Sequence, residues 1–239
     1  MHTMSKPSFA VQAKFKFYSD EESLAGEWKK AAKCNASQIT FLEGILLKTL
    51  DHNSPFLYVD YSVFYGGIRT SDNATFQELN ASLPANNVLR VQNHQYSTDI
   101  PPRRVSEPGC YDELECIARN DVSQLPRTPV SKDSVYILSS FQATEQTQNL
   151  EKIWKIWSGA NYILWKCPKQ LNIRRITFLR TTTCTDPFSY LVLCECEEGL
   201  NFLNHAKEFS DRLRQRWCGL VGLYKVERYY IPPKERRTI

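Results

Sequence analysis

Apolar and polar residues alternate along Phe9–Tyr18, with Val11, Ala13, Phe15 and Phe17 set against Gln12, Lys14 and Lys16, and this period of two predicts a half-buried strand. Ser19 follows as an N-cap ahead of Asp20, Glu21 and Glu22. Leu24, Trp28, Ala31 and Ala32 then recur at helical spacing, predicting a helix to about Lys33. Gln38–Leu50 and Phe56–Phe64 read as strands on either side of the turn Asp51-His52-Asn53-Ser54-Pro55. A second helix is predicted over Ser71–Leu83, opening at Asp72-x-x-Thr75, and Val88–Gln95 alternates once more. The order is βαββαβ.

The same order returns after a change of composition. Between about residues 98 and 134, Pro101, Pro102, Pro108, Gly109, Pro126 and Pro129 interrupt any period, so the stretch reads as a linker with room for a short helix at Tyr111–Arg119. Beyond it, Val135–Gln142 is a strand, and Asn149–Trp165 is a helix with a break at Gly159. Ile173–Thr183 and Phe188–Cys196 form a hairpin about Thr185-Asp186-Pro187. A helix from Glu198 or Gly199 to Trp217 carries Leu200, Leu203, Phe209 and Leu213 on one face, and the strand Leu220–Tyr230 ends before Pro232-Pro233.

Letters repeat as well as elements. Ile39-Thr40-Phe41-Leu42 recurs as Ile176-Thr177-Phe178-Leu179, and Pro55-Phe56-Leu57-Tyr58 as Pro187-Phe188-Ser189-Tyr190, with a spacing that predicts a longer first hairpin. The expected fold is therefore α+β: two tandem ferredoxin-like repeats, residues 1–97 and 135–239, joined by the Pro-rich segment 98–134. Each repeat has helices on one sheet face and needs a cover for the other. Leu46-x-Lys48 and Tyr58-x-Asp60 give strands with one polar or weakly polar side, for which the sister sheet is the obvious cover. Pairing the two sheets gives a closed, barrel-like core.

Composition narrows the function classes. The 239 residues are 42% hydrophobic and 12% aromatic, which excludes a disordered or collagenous chain. No apolar run approaches the roughly 20 residues of a membrane span, so no membrane partner is expected. The net charge of +4 and a sequence pI near 8.6 fall short of a basic nucleic-acid binder. The basic groups Arg174-Arg175 with Arg180, Arg212-Arg214-Arg216 and Lys234-Arg236-Arg237 read as solvated flanks. The eight cysteines come without a signal-peptide pattern, so a reducing, intracellular and cytoplasmic setting is expected. Cys194-x-Cys196 is too closely spaced for a zinc pair and puts both sulfurs on one strand face with Glu195 on the other; no metal constellation emerges. With nine glycines and no nucleophile elbow or phosphate-binding loop, nucleotide-dependent chemistry is disfavoured.

The run Leu191–Leu213, with Cys194-Glu195-Cys196-Glu197-Glu198-Gly199-Leu200 followed by His205 and Phe209, resembles the antibiotic-biosynthesis monooxygenase and stress-responsive dimeric α/β barrels. Their pattern is a strand ending in Glu-x-Trp, an acidic helix start and a His nine residues after the Trp. Cys196 and His205 keep that spacing here, with Cys in place of Trp. The resemblance implies a pocket between sheet and helices for a small apolar or aromatic molecule, with His205 as the catalytic proton relay and haem as a candidate cofactor. Trp154, Trp165, Tyr190 and Glu195 are the candidate ligand-pocket residues, although the tryptophans read more readily as core filling. Cofactor-light oxygenation or isomerisation is the implied chemistry, in a monomer or homodimer. The alternatives are a scaffold or an RNA-binding protein, for which Tyr136 and Tyr190 would have to form an exposed stacking platform.

Overall fold

The computed structural model describes residues 2–5, 11–52, 54–66, 109–120, 122, 131–143, 148–183, 188–216 and 219–231. Its strands are β1 (His2–Ser5), β2 (Val11–Tyr18), β3 (Phe41–Thr49), β4 (Tyr58–Tyr65), β5 (Gly109–Arg119), β6 (Val135–Phe141), β7 (Ile173–Thr181), β8 (Tyr190–Cys196) and β9 (Leu220–Tyr230). The helices are α1 (Glu21–Ser37), α2 (Gln148–Lys152), α3 (Trp154–Trp157), α4 (Ala160–Lys166) and α5 (Leu203–Arg214). Gly159, at φ 80°, adopts the left-handed conformation that separates α3 from α4, where the sequence predicts a break.

All strand pairs are antiparallel, and the order β5-β2-β4-β3-β9-β6-β8-β7 closes on itself through a β5–β7 pairing. The short β1 runs beside the second part of β5 while β2 pairs its first part, so the two share one position in an eight-stranded barrel. The sheets therefore join edge to edge, at β3–β9 and β5–β7, and these two seams close the barrel.

Three expectations change. Tyr111–Arg119 is not a helix but part of β5: its Glu, Leu, Ala and Arg favour helix, yet partners on both sides impose the strand and tertiary pairing overrides propensity. The hairpins are equally long, since Thr49 and Thr181 end one strand and Tyr58 and Tyr190 begin the next. Tyr58 pairs Lys48 and Tyr190 pairs Arg180, so the tyrosines that end the two matches occupy equivalent positions while Phe41 and Phe178 do not. Third, the polar side of β4 does not face a sister sheet. Val59, Tyr61 and Val63 point into the barrel lumen with Phe15, Ile45, Leu138 and Leu191, leaving Tyr58, Asp60 and Ser62 on the helix side. The predicted helix at Ser71–Leu83 and strand at Val88–Gln95 lie outside the described residues. Among the described residues no helix is long and apolar enough to cross a membrane.

Candidate functional site

The helix-facing side of the first half carries a buried carboxylate. Asp60, 3% exposed at the centre of β4, is reached by two groups of α1 and β9. Trp28 Nε1 and the Tyr230 hydroxyl each donate to Asp60 Oδ1, at 3.4 Å. Ser62 Oγ lies 2.7 Å from the Tyr230 hydroxyl and accepts from Asn35 Nδ2 at 3.1 Å. Trp28 and Asn35 stand seven residues apart on α1, two helical turns, which puts both on the face turned toward the sheet. Tyr230 crosses to this cluster because its register partner is Gly44: a Cβ there would stand 2.1 Å from the tyrosine ring. Its ring stacks on Phe41 at 5.2 Å and meets Trp28 edge-on at 5.9 Å.

Burial pushes the Asp60 carboxyl up to about 6, against the opposing pull of the Trp28 and Tyr230 hydrogen bonds and of Lys16, its cross-strand partner. Lys16 is itself paired to Glu27 at 2.5 Å. Tyr18, fully buried on the same face, has a hydroxyl with no hydrogen-bond partner among the described residues, and burial and Asp60 push it well above the usual tyrosine range. The arrangement is a carboxylate that changes charge near neutrality, walled by aromatic rings and flanked by hydroxyl and indole donors. Such a group takes a proton from a weak acid held against it and returns it.

The residues singled out from the sequence do not converge. His205 is exposed on α5, whose buried side is Ala206, Phe209 and Leu213, and its ring lies edge-on to Phe202 at 6.2 Å. Trp165 is 77% exposed. Trp154 is 1% exposed, stacks on Phe178 at 4.6 Å and donates its indole N–H to Glu115 Oε2 at 2.9 Å. Tyr190 also stacks on Phe178, at 5.4 Å, and donates to Glu151 Oε1 at 3.4 Å. Glu195 points the other way, into the lumen, where Arg174 and Arg175 approach it at 2.8 and 3.0 Å. Those two arginines are thus buried ion-pair members and not a solvated flank; a bulge between Ile173 and Arg175 brings consecutive residues to one carboxylate. Cys194 and Cys196 do share the opposite face of β8, with sulfurs 3.9 Å apart.

The second half does not fit a haem. Beneath its helices the space is occupied by the Trp154–Phe178–Tyr190 stack with Trp157, and its histidine stands on the outer side of α5. Tyr136 and Tyr190 are both buried, so neither offers a base-stacking platform. Asp60, Trp28, Asn35, Ser62 and Tyr230 escaped the sequence reading. Their one local signal is a carboxylate in the middle of Tyr58-Val59-Asp60-Tyr61-Ser62-Val63-Phe64, a segment otherwise made of good strand formers.

An eight-stranded antiparallel barrel with helices outside is the architecture of the dimeric α/β barrel type, here closed within one chain. The chain belongs to the family described as a domain of unknown function (DUF7153), which it matches over residues 41–226. It is similar in fold to an anthrone oxidase-like protein, with a TM-score of 0.54 at 7% identity over 98% of each chain. A candidate monooxygenase from Fusobacterium nucleatum subsp. nucleatum gives a TM-score of 0.44 at 11% identity, covering 95% of this chain and 96% of that one. A chlorite dismutase variant from Candidatus Nitrospira defluvii gives 0.37 at 8%, covering 91% of each. No curated protein matches the sequence.

Proposed function

We propose that the chain binds a small aromatic molecule against the helix-facing side of its first half and that Asp60 takes a proton from it, the opening step of a cofactor-light oxygenation or isomerisation. The observation that carries this reading is the Asp60 carboxyl itself, buried among Trp28, Tyr230 and Ser62 and pushed up to about 6. A base of that strength accepts a proton at neutral pH and gives it back without a large barrier. Tyr18 and Tyr230, both held protonated by burial, are placed to donate to an oxygen that gains charge as the proton leaves. The named activity of the fold relative suggests a hydroxyanthrone as first probe. Its methylene is acidified by flanking rings and a carbonyl, and the deprotonated carbon with dioxygen would give the quinone and water. Quinone absorbance should rise under air with the native protein, and Asp60→Asn should lower the rate about 10²–10⁴-fold. An Asp60→Asn protein that binds and turns over the probe as the native one does removes Asp60 from the chemistry.

Two ferredoxin-like repeats, the first running through β5, account for the barrel. Each half has the strand order fourth, first, third, second of a βαββαβ unit, as β5-β2-β4-β3 and β9-β6-β8-β7. Each also repeats one constellation. The Tyr58 hydroxyl donates to Glu21 at 3.1 Å with Lys48 3.5 Å from the same carboxylate, and Tyr190 donates to Glu151 with Arg180 at 2.9 Å. Duplication of one unit places a tyrosine, a cation and a glutamate alike in both copies.

A further inference from the structure

The barrel lumen holds a polar feature that the Asp60 chemistry does not use. Across one row of the sheet, Arg175 on β7 pairs in register with Glu195 on β8, which pairs with Tyr136 on β6. Side chains one row apart on a sheet share a face and stand in contact. Around them is a cavity of about 10 Å³ lined by Tyr61, Tyr136, Arg175, Thr177, Leu193 and Glu195. That volume suits one water molecule and nothing larger.

The walls supply what a buried water needs, two to four polar partners. Tyr136 is 2% exposed and its hydroxyl has no hydrogen-bond partner among the described residues. Glu195 Oε2 faces Arg175 Nε at 3.0 Å as an ion pair but accepts no hydrogen bond among the described residues, while its Oε1 already accepts from Arg174 at 2.8 Å. Burial holds Tyr136 neutral, hence a donor. We propose that this cavity binds one ordered water molecule, which accepts from the Tyr136 hydroxyl and donates to Glu195 Oε2, with Arg175 and Thr177 completing its polar surroundings. The water joins β6, β7 and β8 in one network opposite Tyr61 of β4, so the two halves of the barrel meet across it.

The sign of one substitution separates a hydrated cavity from a dry one. Removing a hydroxyl that bonds a water loses that bond, whereas removing a dry, unpartnered hydroxyl relieves its burial. Tyr136→Phe should raise the unfolding equilibrium constant about tenfold in urea titrations. A high-resolution crystal structure of the native protein should show density within hydrogen-bond distance of Tyr136 Oη and Glu195 Oε2. A Tyr136→Phe protein with a lowered unfolding constant, or a native cavity without density, overturns the proposal. Should Tyr136→Phe fail to fold, the density in the native protein decides alone.

Discussion

The two helix-facing sheet faces stand at equivalent places in the barrel and have opposite contents. Under α2–α5 the second half packs Trp154, Trp157, Phe178, Tyr190 and Phe209 against a largely apolar sheet, and Trp154 donates to Glu115. Under α1 the first half has a small apolar cluster of Tyr18, Leu46 and Tyr58, and beside it Asp60, Ser62, Asn35 and Tyr230. The position-by-position difference is plain from the shared starting tyrosines: two residues beyond Tyr58 stands Asp60, two beyond Tyr190 stands Val192. The second half keeps the fold together through packing, and the first spends a strand position on a carboxylate whose burial is unfavourable. A buried ionisable group with a shifted titration is a candidate for chemistry.

That contrast is tested most severely in the apolar face. Trp154→Ala removes a fully buried ring and its stack on Phe178, and should cost about 3–5 kcal/mol by chemical denaturation, with no specific effect on the Asp60 site. A loss below 1 kcal/mol would mean the second half is not the tightly packed one.

The pH dependence of stability probes the polar face. Asp60 holds its proton more tightly folded than unfolded, at about 6 against an ordinary 3.8. Its stabilising contribution is therefore complete below about pH 4 and is lost as pH rises through 6, amounting to about 3 kcal/mol in all. Unfolding titrations between pH 4 and 7 should show this decline in the native protein and a flatter profile in Asp60→Asn. Equal slopes in the two proteins would contradict the shifted carboxyl.

The smallest effect is expected at His205. Exposed on α5, it should tolerate Ala within about 0.5 kcal/mol, with hydroxyanthrone turnover unchanged. A turnover loss comparable to that of Asp60→Asn would return the chemistry to the second half.

The periodicity of the chain determined most of the elements, because a period of two or 3.6 is a local property. Leu220–Tyr230 has the same bounds in sequence and structure, ending before Pro232-Pro233, and Gly159 breaks its helix as expected. It also determined that Cys194 and Cys196 lie opposite Glu195. Tertiary structure decided the rest. Gly109–Arg119 became a strand only because β2 and β7 flank it. Arg174 and Arg175 read as solvated until a bulge turned both to Glu195. Asp60 meets Tyr230 only because β9 closes the barrel beside β3 and Gly44 leaves room for the ring, a contact between residues 170 apart. Alternation reports which side of a strand a residue occupies, but what covers that side is set by long-range pairing, and the candidate site lies where the covers meet.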